Sequence, residues 1–103
     1  MTWLLLKLRV GLRRKVSKPY TETQEGEFFI REFTPDVESD ELKWHRDYED
    51  RKIWVLNEND WKYQEDNKLP QPLQGELFIP KGLWHRVIKG ATNLKIKLQK
   101  IIS

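Results

Sequence analysis

The chain has 103 residues, 38% of them hydrophobic and 34% charged, with a net charge of +3 and no cysteine. That length suits one domain over residues 1–103, and five Trp, four Phe and three Tyr supply its core with large apolar pieces. Without cysteine there is no disulfide framework, no thiolate metal site and no Cys nucleophile.

The opening Trp3-Leu4-Leu5-Leu6 is apolar, but Lys7 and Arg9 interrupt it before it reaches signal-peptide or membrane-span length. A cytoplasmic protein with no membrane partner is therefore expected. Leu4, Leu6, Leu8 and Val10 recur at period two, which predicts a strand over 4–10. The basic stretch 11–20, with Lys18-Pro19, is expected to be an exposed connection. Gly26 then opens a β-like run over 27–33, and the acidic stretch 34–40 with Pro35 is expected to be a loop.

From residue 41 onward short β-like runs recur at 42–46, 52–56, 61–64, 76–79, 84–88 and 93–101. Turn-rich pieces separate them: 57–60, the long 65–75 with Pro70 and Pro72, 80–82 and 89–92. In the last run Leu94, Ile96 and Leu98 alternate with Lys95, Lys97 and Gln99, so one face belongs to a core and the other to solvent. No window sustains a helical period. Many short strands at this spacing predict an all-β sandwich or barrel with little helix.

Charge is unevenly spread. Residues 1–21 and 77–103 each hold six Lys/Arg and no acid, while the middle carries all sixteen acids. Basic ends of this kind serve either as a solvated surface or as a face for an acidic partner, nucleic acid or a second copy's acidic segment. No recognised nucleic-acid motif accompanies them, so nucleic acid is not an expected partner.

His45-Arg46-Asp47 places an imidazole and a carboxylate two residues apart, so on a strand both leave the same face within reach of one ion. His85 is the only other histidine. It follows Pro80-Lys81-Gly82-Leu83-Trp84, where Pro80 and Gly82 predict a tight turn delivering His85 to the start of the next strand.

Gly75-Glu76-Leu77-Phe78-Ile79-Pro80-Lys81-Gly82-Leu83-Trp84-His85 resembles the second cupin motif, a Gly followed by Pro-x-Gly-x-x-His. The first cupin motif, His-x-His-x-x-x-Glu, is resembled by His45 to Arg51, with Asp47 in place of the second His and Arg51 in place of the Glu. The resemblance spans about residues 26–100. It implies a cupin-like double-stranded β-helix, a jelly-roll barrel, with a polar pocket around His45, Asp47 and His85. Those three form the two-His, one-carboxylate set that suits a divalent metal such as Fe, Mn, Ni or Zn. The alternative is a metal-free pocket in which His45 and Asp47 form a hydrogen-bonded pair. Arg51, if it points inward, repels a cation, neutralises Asp47 or binds an anionic ligand.

Tyr63 and Gln64 follow the 57–60 turn, where cupin pockets gain a further polar wall, and by alternation only one of them faces inward. Tyr63 is the candidate catalytic acid or base; Arg51 and Gln64 are the candidate ligand-binding residues. Trp44, Trp54, Trp61 and Trp84 are expected in core and rim packing. A His-x-Asp with a distant His also occurs in 2-oxoglutarate oxygenases, but those chains are much longer, and Lys95, the candidate for their distal basic residue, alternates onto the solvent face. The expected function is a small-molecule pocket for a polar or anionic compound, either in an enzyme of oxygenase, isomerase or lyase type or in a non-catalytic binding or sensor module. An interaction protein using its basic ends is the third possibility. Sheet-edge pairing in a short barrel further predicts a homodimer.

Overall fold

Gly26, at φ 64°, takes a left-handed conformation that only glycine adopts without strain, and it folds Tyr20–Glu25 (β1) back on Phe28–Phe33 (β2). This hairpin begins the part of the chain that the computed structural model describes, residues 20–37 and 42–102. Six more strands follow: Asp50–Val55 (β3), Lys62–Glu65 (β4), Gln71–Pro72 (β5), Glu76–Ile79 (β6), His85–Ile88 (β7) and Leu94–Ile101 (β8). They form an antiparallel five-stranded sheet in the order β1-β2-β8-β3-β6 and a three-stranded one in the order β5-β4-β7.

The alternation in β8 sets the core. Leu94, Ile96 and Leu98 face inward at 2%, 7% and 1% exposure, and Leu94 and Ile96 share one core cluster with Phe33 of β2, with Trp61 just before β4 and with Tyr63 in it. Fully burying a leucine contributes about 1.5–3 kcal/mol relative to leaving it exposed, so Leu94 and Leu98 weigh heavily in holding the two sheets together.

Most of the predicted runs from 52 to 101 are strands with ends shifted by one or two residues. Three places differ. Residues 42–46 form no strand: Leu42 sits in a short 3₁₀ turn, and His45 makes only a single bridge to His85. Tyr20, placed in a connection by its basic surroundings, begins β1, whose pairing with β2 overrides the polar composition of Thr21 to Glu25. The turn-rich 65–75 also contains β5, where Pro72 is tolerated because β5 is an edge strand. The strand expected at 4–10 lies outside the described residues.

Candidate metal centre

The turn at Pro80 to Leu83 carries the site. Gly82, at φ 82°, allows the Leu83 N–H to reach the Pro80 carbonyl at 3.2 Å. The turn docks on the other half of the site, because Gly82 N–H donates to the Asp47 carbonyl at 2.9 Å and Lys81 N–H to Asp50 Oδ1 at 2.7 Å. The two histidines are brought side by side by their own main chains. His45 N–H donates to His85 O at 3.0 Å and His85 N–H to His45 O at 2.9 Å, leaving the ring centroids 4.3 Å apart.

Each histidine ring is fixed in the same way. Nδ1 of His45 lies 2.8 Å from Lys43 O, and Nδ1 of His85 lies 2.8 Å from Leu83 O. A carbonyl only accepts, so Nδ1 carries the proton, and in the neutral ring Nε2 presents a lone pair. Those Nε2 atoms face one carboxylate. His85 Nε2 is 3.4 Å from Asp47 Oδ2, and His45 Nε2 is 4.0 Å from Asp47 Oδ1. Ligand atoms of the three residues all lie within 4.8 Å of one another, and Asp47 and His85 are buried.

With both rings neutral no proton stands between these acceptors, and Asp47 Oδ2 is buried without a hydrogen-bond partner among the described residues. Converging lone pairs of this kind are satisfied by a cation among them, by a bridging water or by protonation of a ring. Two neutral imidazoles and a carboxylate are a donor set for a divalent first-row metal, and the Nδ1–H···O=C bonds are the outer contacts that usually orient metal-binding histidines. The residues therefore fit such an ion.

Asp47 is held below the usual carboxylate range. Burial raises its pKa, but the approach of His85, which becomes a donor when its ring is protonated, and the charge of Arg51 outweigh that. Arg51 faces the site, with Nη2 3.4 Å from Asp47 Oδ1 and Nε donating to Glu49 Oε2 at 2.8 Å. It is therefore an internal ion-pair partner bound on two sides.

His45, Asp47, Arg51, Tyr63 and His85 line one internal cavity of about 50 Å³, whose remaining wall is largely aliphatic. Tyr63 is 1% exposed, with its ring 5.7 Å from His85 and its hydroxyl 3.4 Å from Glu65 Oε2. Burial, and then the Glu65 charge, push its pKa well above that of a free phenol, so it stays protonated. Gln64 does not line the cavity; it accepts from Arg86 Nε at 2.9 Å and donates to Lys68 O at 2.9 Å on the other face of β4. Trp61 is a core residue at 1% exposure, whereas Trp44 and Trp84 are open to solvent at 41% and 44%, beneath Arg86 and Arg46 respectively.

Two charged residues were not picked out from sequence. Glu49 is joined to Asp47 through Arg51, and its place midway between them is plain in the sequence. Arg31 lines the cavity at 6% exposure, with Nε 2.6 Å from Glu22 Oε2 and its guanidinium 4.5 Å from the Tyr20 ring centroid. It alternates with Phe33, buried at 6%, but Phe28 and Ile30 make the opposite face of β2 apolar too, so alternation alone did not single it out.

No protein-family model and no curated protein matches the chain. Solved structures do. The chain is similar to a cupin domain from Bordetella pertussis Tohama I, at 18% identity and TM-score 0.56 over 85% of this chain and 100% of that one. It is also similar to a protein from Neisseria meningitidis, at 15% identity and TM-score 0.53 over 86% and 89%. A third similar structure is Fe(II)-HppE with an alternative substrate, at 15% identity and TM-score 0.52; the match covers 88% of this chain but about half, 53%, of HppE.

Proposed function

We propose that this chain, which has the cupin fold, binds a divalent metal ion through His45, Asp47 and His85 and acts as a metal-dependent enzyme on a small polar or anionic molecule, by oxygenation, isomerisation or lyase chemistry. The observation that carries this reading is the convergence of two oriented Nε2 atoms on a buried carboxylate oxygen that lacks a hydrogen-bond partner among the described residues. The Fe(II) of the HppE structure is in keeping with it.

When bound, such an ion supplies Lewis acidity and open coordination positions. The chain's own groups do the rest. Arg51 restrains Asp47 Oδ1 and offsets the carboxylate charge, and the rest of the cavity wall is largely apolar. Tyr63, protonated and buried, can donate a proton from its hydroxyl, with Glu65 at 3.4 Å to orient it.

Titration calorimetry of the metal-free protein with Fe(II), Mn(II), Ni(II) and Zn(II) tests the reading. Saturable binding by wild type that Asp47→Ala abolishes supports it; no binding of any of the four at micromolar levels overturns it. In that event the second reading takes over, a non-catalytic small-molecule module, favoured by the inward guanidinium of Arg51. We further propose that the protein is a homodimer, which light scattering at tens of micromolar decides.

A further inference from the structure

We infer that the ligand taken beside the metal is a small monoanion with an apolar body, such as a short branched-chain carboxylate, and neither a sugar phosphate nor a neutral polyol. This deepens the metal reading and rests on it.

The first ground is charge. Asp47 and Glu49 bring two negative charges to the site and Arg51 one positive, joined in one chain by the 3.4 Å and 2.8 Å contacts of its guanidinium. With both imidazoles neutral, as metal binding requires, the group, counted over the described residues, carries one net negative charge. A divalent ion turns that into one net positive charge inside a largely aliphatic cavity. Uncompensated charge in such surroundings is costly. A monoanion cancels it, a neutral ligand leaves it standing, and a dianion reverses it. Among the described residues Arg31, the other charged side chain on the cavity wall besides the site's own groups, is paired at 2.6 Å with Glu22.

The second ground is the wall. Away from the donor set, and apart from Arg31, Trp61 and Tyr63, whose donors are turned to Glu22, Thr92 and Glu65, the cavity is bounded by side chains such as Ile53, Leu77, Ile79, Val87, Ile96 and Leu98, none of which can accept or donate a hydrogen bond. Each hydroxyl of a polyol buried there and left unpaired costs about 1–3 kcal/mol. The volume of about 50 Å³ holds only a few water-sized groups. A carboxylate head at the polar end and a few carbons beyond it match both the chemistry and the size.

The test uses the full chain loaded with Zn(II), whose uptake is measured first, and follows binding of isobutyrate, glycerol 3-phosphate and glycerol by calorimetry. Isobutyrate is expected to bind at least about tenfold more tightly than either of the others, equivalent to ~1.4 kcal/mol. Glu49→Gln removes one negative charge from the site, so the preference for isobutyrate over glycerol 3-phosphate should shrink or reverse. Zn(II) uptake with glycerol 3-phosphate or glycerol bound as well as isobutyrate overturns the inference and leaves the metal reading intact. Failure to take up Zn(II) overturns both. If Glu49→Gln does not fold, the wild-type ranking alone decides.

Discussion

His45 and His85 exchange both main-chain hydrogen bonds across a bridge one residue wide, with no strand on the His45 side to sustain it. The outward neighbours supply support on the reverse face. The Arg86 guanidinium lies 4.9 Å from the Trp44 ring centroid, and that of Arg46 lies 5.3 Å from Trp84, so each pair crosses the bridge.

Exposed cation–π pairs contribute about 0.5–1 kcal/mol each. Trp44→Ala is accordingly expected to lower stability by about 1 kcal/mol. Its specific signature is faster amide exchange at His45, with Leu98 in β8 unchanged. Equal loss of protection at both positions would show that the indole supports the whole fold and not the bridge.

Gly90 is closed to any larger residue. A Cβ there would lie 2.8 Å from the main-chain carbon of Asp60 and closer still to its carboxylate, which accepts from Ala91 N at 2.9 Å and Thr92 N at 3.1 Å. Gly90→Ala should therefore cost about 1–3 kcal/mol in denaturant unfolding, although alanine normally stabilises an exposed turn by restricting the unfolded chain. A neutral or stabilising result would mean that the turn repacks freely.

Much of the fold was legible because period-two alternation survives wherever one strand face is buried and the other wet, as in Leu94 to Leu98. The site was partly legible for a different reason. His85 is announced by the Pro80 and Gly82 turn, a local signal, whereas the register that sets His45 against His85 is a long-range pairing. Residues 42–46 look like a strand because Leu42 and Trp44 are apolar, yet Trp44 is exposed and held by Arg86. Gln64 carried no signal separating it from Tyr63 beyond alternation. Burial of Tyr63 against the core settled which of the two lines the cavity.

Acid should weaken the metal-free protein through Asp47. Its folded pKa lies below that of an unfolded carboxylate, so its contribution to stability is present above the unfolded value and is lost as pH falls through the folded one. Denaturant midpoints of wild type should thus fall more steeply below about pH 4 than those of Asp47→Asn. Parallel curves for the two proteins would place the acid-labile charge elsewhere.

Arg51→Glu sharpens the electrostatic picture. Arg51 sits 3.4 Å from Asp47, so the change removes a facing positive charge and adds a carboxylate beside the donor set. Metal binding measured by calorimetry should tighten at least tenfold, or ~1.4 kcal/mol. Unchanged affinity would mean that the guanidinium charge is already spent on Glu49. Separately, a wild-type ion at 100 times its Kd should raise folding stability by about 2.7 kcal/mol, seen as a higher unfolding temperature.

If His45, Asp47 and His85 hold a metal ion in the native protein, that ion should survive purification. Elemental analysis of untagged protein, purified without chelator, measures this directly, alongside the same preparation of His85→Ala. The expected result is a divalent first-row metal in stoichiometric amount in wild type and its loss from a folded His85→Ala. Wild type without metal, or the same content in both proteins, would contradict the account.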